Sequence, residues 1–470
     1  MTKIFDYFQQ LTQIPHCSND ADKLKDFLIT FAKKRGYKVQ TDKEKNILIK
    51  KGTPKLALQA HYDMVCVGEA PKIRTYIKDG WMMAENSTLG ADNAMAIAMM
   101  MALMDEDREC EFLFTSDEEI GLIGASALEF ELESNNMLNL DSEDEAEVYI
   151  GCAGGVDIEA SKKYETFERS GSFYEVTIGG LAGGHSGVEI HKDIPNAIKL
   201  FAEFLKDKDV EIASIKAGER VNSIPVNLKA ILFSHSELTC EQNLNIKQIE
   251  GIFQIVKGSE IVSIINEFKH GVLSYNDELD VPDTSINLAL LSLFHGQLKI
   301  ETSARAMDDI GLKKVEEDYK NFFESFNFKV RCEGKYPAWK PEINSFSKEV
   351  EKAMIEVFGK SEFKAIHAGL ECAIISEKYP DMKFTSIGPN IESPHSTHER
   401  VEVESVDKIY KVVQKIVNSY EWACSGAPST LNESSITPES FSRIKSNPFI
   451  FFIVSKFIFT NLPLSWFANV

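Results

Sequence analysis

Three regimes of apolar and polar spacing divide the chain. From residue 3 to 35 apolar side chains recur at helical intervals, broken at Ile14-Pro15-His16-Cys17-Ser18, which predicts two helices. The second starts at Asp20, carries Leu24, Phe27, Leu28 and Phe31 on one face, and ends at Gly36. Short apolar runs at 46–50, 56–60, 110–115 and 137–140 predict strands, with 46–50 paired near 56–58. Residues 94–104, rich in Ala, Met and Leu, predict a helix between the runs at 56–60 and 110–115. This order predicts an open α/β sheet, a fold that binds ligands beyond the carboxyl ends of its strands.

Past residue 155 the pattern changes to alternation, at 156–160, 173–178, 227–233 and 298–305, with a helix beginning near Ile194. Helical spacing returns at 344–358 and 406–417, with a strand at 384–388 between them. The chain therefore reads as an α/β domain in two parts, 1–155 and 336–425, interrupted by an α+β insertion at 156–335. A tail at 426–470 starts polar and then turns apolar; its uncharged stretch 448–455 is too short for the roughly 20 residues that span a bilayer. It is expected to be a poorly ordered extension.

Charge and cysteines narrow the setting. Over 470 residues the formal net charge is −21, which argues against nucleic acid or an anionic membrane as partner. The eight cysteines are scattered without a Cys-x-x-Cys pair, so reduced thiols are expected, with no structural zinc knuckle. The first ten residues lack the pattern of a signal peptide, and a cytoplasmic location is expected.

The candidate chemistry lies at the predicted strand ends. His61 and Asp63 project from one face of a strand, as a metal-ligating imidazole and the carboxylate that orients it would. Taken alone, such a pair is an ordinary strand end. Asp92 at the start of a helix, Glu118 and Glu119 after the 110–115 run, and Asp141 after 137–140 add carboxylates that repel one another unless cations lie among them. A histidine in the set favours zinc, manganese or cobalt over magnesium or calcium.

Gln59-Ala-His61-Tyr-Asp63-Met, Thr88-Leu-Gly-Ala-Asp92-Asn, Asp117-Glu118-Glu119-Ile-Gly, Asp141-Ser-Glu with Gly151-Cys-Ala-Gly-Gly155, Gly183-Gly-His185-Ser-Gly, Val221-Asn222-Ser-Ile-Pro, His367-Ala-Gly-Leu-Glu371-Cys and Ser393-Pro-His395-Ser occur in this order. Together they resemble the aminoacyl-histidine dipeptidase group (peptidase D) of the two-zinc exopeptidases, over residues 4 to 422. The resemblance implies a catalytic domain with a mixed, mostly parallel sheet, an inserted lid, and dipeptides as substrates.

It also implies roles. His61, Asp92 and Asp141 hold one metal; Asp92, Glu119 and His395 hold the other. A water between the ions is the nucleophile, Glu118 the general base, and Asp63 the orienter of His61. His185, on the lid, polarises the scissile carbonyl, Asn222 binds substrate as an amide, and His367 and Glu371 shape its pocket. Glu371 would meet the free amino group; an alternative is a solvated helix start. Arg305 suits a clamp for the substrate carboxylate, though a surface arginine reads equally well. Asp117 departs from the small residue expected there, and its charge would raise the pKa of the base. His16 and His398 have no assigned task. The insertion is long enough to mediate a homodimer or to cover the site within one chain. A related reading is a two-zinc amidohydrolase acting on N-acyl amino acids or succinylated diamines; a metal-free scaffold would have lost a ligand or the base.

Overall fold

The computed structural model describes residues 3–240 and 243–424, with side chains to residue 421, so the expectation for the 426–470 tail lies outside the described residues. The compact unit Met1–Asn418 carries everything below.

Its central eight-stranded sheet has the order Lys38–Thr41, Ile47–Lys50, Glu111–Thr115, Ala57–His61, Asn136–Asn139, Lys383–Ser386, Glu147–Cys152, Glu362–Ile366. The four strands from Glu111–Thr115 to Lys383–Ser386 run parallel and the flanks are mixed. Ala57–His61 and Glu111–Thr115 are buried throughout, as in parallel strands covered on both faces. The expected pairing of 46–50 with 56–58 does not form. Glu111–Thr115 lies between them, because the helix Ala91–Asp105 returns the chain so that the next strand enters parallel to Ala57–His61. That helix is buried on nearly every side, which its Ala, Met and Leu content permits.

Residues 154–336 build a separate antiparallel sheet of nine strands. Leu228–Ser234 pairs with both Phe167–Ile178 and Val210–Ala217, closing part of it into a ring. Its inner face, including Val156, Ile158, Leu232 and Ile300, packs with Phe201, Ile261, Phe268 and Phe323 from the helices Ala197–Phe204, Ser259–Glu267 and Asp309–Ser325 and the chain that follows them.

A third sheet was not legible in the sequence: Thr75–Lys78, Trp81–Ala84, Arg400–Glu402 and Ile391–Glu392 pair antiparallel. It ties the segment before Asp92 to the loop that carries His395. One expectation is corrected at the other end of the chain, where Cys17 and Cys66 form a disulfide rather than two thiols. Spacing alone hid this pair. The thiols meet because Met64 N–H donates to the His16 carbonyl and Ser18 N–H to the Met64 carbonyl, laying residues 16–18 along the chain beyond His61. No helix among the described residues is long and apolar enough to cross a membrane.

Candidate metal centre

The parallel strands end at one edge of the sheet. His61 pairs with Thr115 and Gln59 with Asn139, so the residues that follow these strands emerge together. They supply His61, the Glu118-Glu119 turn and Asp141. Asp92 arrives from the first turn of Ala91–Asp105, and His395 from the loop between the short strands Ile391–Glu392 and Arg400–Glu402.

These side chains converge. His61 Nε2 lies 3.0 Å from Asp92 Oδ1 and 3.3 Å from Asp141 Oδ1. His395 Nε2 lies 3.0 Å from Asp92 Oδ2 and 2.9 Å from Glu119 Oε1. Asp92 thus offers one oxygen to each histidine. Two candidate triads result, His61, Asp92, Asp141 and Asp92, Glu119, His395; a third, His61, Glu118, Glu119, brings a Glu118 oxygen within 4.8 Å of the ligand atoms of both others.

The charge balance fits divalent cations. His61 Nδ1–H donates to the Asp63 carbonyl at 3.0 Å, which turns the Nε2 lone pair toward the carboxylates. The Glu119 carboxylate oxygen Oε1 is buried, with His395 Nε2 beside it at 2.9 Å. Left to protons, the cluster holds them strongly. Burial and then the Asp92 charge push Glu119 up to about 7. His395 rises to about 11 against its burial, through the Asp92 and Glu119 carboxylates. Burial lifts Glu118 well above the usual carboxylate range, with Glu119, Asp141 and Glu371 adding repulsion against the pull of His61. Cations among such acceptors would relieve the same repulsion.

Residues 57–419 match the Peptidase family M20/M25/M40. The chain belongs to this family. The cytosol non-specific dipeptidase of Escherichia coli (strain K12) is 30% identical over 468 residues, covering 88% of this chain and 96% of that protein. The crystal structure of aminoacylhistidine dipeptidase from Vibrio alginolyticus matches with a TM-score of 0.73 and 28% identity, over 89% of this chain and 96% of the other. A Staphylococcus aureus tripeptidase shares the fold at a TM-score of 0.56 and 17% identity, over 89% and 98% of the two chains. The mixed α/β architecture is therefore that of an M20 peptidase, a peptide-hydrolysing enzyme.

Within this family member the residues around the triads divide into braces and open groups. The Asp63 carboxylate stands 3.6 Å from His61 Nδ1, farther than its own backbone carbonyl. It instead accepts Glu118 N–H at 2.9 Å, Glu119 N–H at 3.4 Å and the Ser18 hydroxyl at 2.7 Å, so it braces the turn that carries both glutamates. Asp117 does not press on Glu118 as expected; its carboxylate turns away to accept Asn19 N–H at 2.6 Å. Glu371 is fully buried, which excludes a solvated helix start. It accepts the Thr115 hydroxyl at 2.6 Å and the Gln59 amide, leaving Oε1 without a donor. His16 is buried with Nδ1–H on the Ile14 carbonyl and belongs to none of the triads. His398 is exposed.

The insertion contributes its own set. His185 Nδ1 accepts N–H from Gly187 and Val188, both at 3.2 Å, so its proton sits on Nε2; burial pulls its pKa down to about 4. Asn222, exposed, lies beside it through Ser186 N–H donating to its carbonyl. Arg305 is 7% exposed, not the surface arginine of the alternative reading. Its Nη1 donates to Tyr336 Oη at 2.7 Å, and no described carboxylate lies within 4 Å of it. His367 Nε2 pairs with Ser285 Oγ at 2.7 Å, and the His367 carbonyl crowds Gly187, where only glycine fits.

One residue at the centre escaped the sequence reading. Glu399 is 2% exposed, and its carboxylate accepts four successive backbone N–H groups, from Leu89, Gly90, Ala91 and Asp92. Its signal was slight: an acidic residue four past His395, indistinguishable from a surface glutamate.

Proposed function

We propose that the protein is a two-metal dipeptidase, with His61, Asp92 and Asp141 holding one cation and Asp92, Glu119 and His395 the other. The reading is carried by Asp92, whose two oxygens face the two histidines separately. The histidines and carboxylates suit zinc, with manganese or cobalt as substitutes. When bound, the cations supply Lewis acidity toward the attacking water and the scissile carbonyl.

The chain's own residues do the rest. Glu118 takes the proton from the attacking water and returns it to the leaving amine; a carboxyl lifted by burial suits that exchange. Asp63 fixes the turn that aims it. His185, neutral with its proton on Nε2, donates to the developing oxyanion. Arg305, buried without a counter-carboxylate, receives the C-terminal carboxylate of the dipeptide, with Asn222 and His367 beside it. Residues 156–335 act as the lid over the catalytic parts 1–155 and 336–425. Glu371, whose Oε1 has no donor, meets the free amino group of the dipeptide.

Dipeptides, including those ending in histidine, are the substrates most consistent with the two relatives near 30% identity, and the E. coli relative's name supports a cytosolic location. Neither relative favours N-acyl amino acids. A homodimer through the lid is compatible with this arrangement, and sedimentation tests it. The test of function is a dipeptide panel with added zinc, manganese or cobalt, beside N-acetyl amino acids and with Glu118→Ala as control. Hydrolysis of dipeptides that the variant abolishes is the expected result. Full activity in the variant overturns the assignment of the base.

A further inference from the structure

We infer that Glu399 is a positioning residue that locks the two halves of the cation site together, holding the Asp92 segment and the His395 loop in one geometry. The inference rests on the two-metal reading above.

The helix Ala91–Asp105 starts at the site, and helix starts leave N–H groups without internal partners. Gly90 lies at φ 73°, which lets successive N–H groups from 89 to 92 point inward as an anion-binding concavity. Such a concavity usually receives a ligand's phosphate or carboxylate. Here the chain fills it itself. Glu399 Oε2 accepts Leu89 N–H at 2.7 Å and Gly90 N–H at 3.0 Å, and Oε1 accepts Ala91 N–H at 2.7 Å and Asp92 N–H at 3.3 Å. Space is tight, since a Cβ on Gly90 would press against the Met64 side chain.

What makes this more than a local brace is where Glu399 comes from. It follows His395 by four residues and precedes Arg400, which pairs with Met83 in the small sheet. That pairing fixes both segments in register, and the carboxylate then closes the loop onto the backbone of Asp92. Asp92 is the one side chain shared by the two proposed cation triads. Its contacts to His61 and His395 are each 3.0 Å, so both depend on the placement of its main chain. Groups that hold metal ligands in place typically change metal affinity 10- to 100-fold when removed.

The test compares Glu399→Ala and Glu399→Gln with Glu111→Ala. Glu111 is also fully buried and also accepts backbone N–H groups, from Glu133 and Ser134, but at the opposite end of its strand. It serves as a control for lost stability alone. Zinc stoichiometry and affinity are read by competition with a chromophoric chelator, and exchange of the 89–92 amides by mass spectrometry. The expected result is two zinc ions in the wild type, affinity lowered about 10- to 100-fold in Glu399→Ala, and a smaller loss in Glu399→Gln, which keeps one acceptor oxygen. Glu111→Ala keeps wild-type affinity while unfolding at lower denaturant. Faster exchange at 89–92 accompanies only the Glu399 variants. If Glu399→Ala does not fold, Glu399→Gln carries the comparison. Wild-type affinity in the Glu399 variants, or an equal loss in Glu111→Ala, overturns the inference and leaves the two-metal reading intact. A wild type that binds no divalent ion overturns both.

Discussion

Asp63→Asn separates the binding of cations from the aiming of the base. The aspartate uses both oxygens: Oδ1 takes Glu118 N–H at 2.9 Å, while Oδ2 takes the Ser18 hydroxyl at 2.7 Å and Glu119 N–H at 3.4 Å. Asparagine has the same shape but one acceptor oxygen. If that oxygen keeps Glu118 N–H, the amide faces Ser18, whose hydroxyl can turn to accept, and it also faces Glu119 N–H, donor to donor. The brace loses its charge and one of its bonds, a cost of about 1.5–3 kcal/mol for hydrogen bonds to a charged group. Expressed fully in the placement of Glu118, that lowers kcat/KM by roughly 10- to 150-fold. Metal binding should change little, because His61 Nδ1–H bonds to the Asp63 backbone carbonyl, which the substitution leaves in place. Steady-state kinetics on a dipeptide, beside zinc content after dialysis, reads the two effects separately. A variant within twofold of wild-type kcat/KM refutes the brace; one that loses its zinc refutes the division of labour between carbonyl and carboxylate.

Arg305→Met removes a buried guanidinium and should raise KM, lowering kcat/KM about 10- to 100-fold for free dipeptides while leaving dipeptide amides unaffected; equal losses on both would exclude a carboxylate clamp. His270, whose Nδ1 accepts Leu288 N–H, has its pKa pulled down to about 4 by burial and by Lys199. Folding is then unaffected by this group above about pH 6.5 and weakens as pH falls from there toward 4, because the unfolded chain takes the proton first. Urea midpoints across that range should fall less steeply in His270→Gln, the gap reaching about 3 kcal/mol near pH 4; parallel curves would exclude the assignment. The Cys17–Cys66 bond spans 49 residues, and closing such a loop stabilises by about 4 kcal/mol in the chain-entropy account. A reductant should therefore lower the urea midpoint of the wild type and not that of a Cys17→Ala, Cys66→Ala double variant.

The sequence was most legible where residue type and local period point the same way. His61, Asp92, Glu119, Asp141 and His395 stand in motifs whose order survives, and the structure brings them within reach of one another. The strand at 110–115 was visible, but not its place beside Ala57–His61, because the neighbours of a strand depend on how a distant helix packs. Asp63 was expected to orient an imidazole through its carboxylate. Its main-chain carbonyl lies nearer to His61 Nδ1, at 3.0 Å, than its carboxylate, at 3.6 Å, and that carboxylate also holds a turn 55 residues away, a sharing that no pattern of side chains reveals. Glu399 and the Cys17–Cys66 bond were missed for a related reason. Their partners are backbone groups, or are brought close by backbone pairing, and the identity of a residue says little about which amides will face it.

The insertion between the two parts of the central domain has a consequence for the timing of synthesis. Four of the proposed ligands are translated by residue 141, but the fifth waits until residue 395. A nascent chain leaving the ribosome therefore lacks a complete second triad until most of the polypeptide exists. The return strand Lys383–Ser386, translated shortly before His395, pairs with Asn136–Asn139 in the sheet begun by the first part of the chain. On the two-metal reading, a chain ending before His395 keeps only the first of the two proposed cation triads.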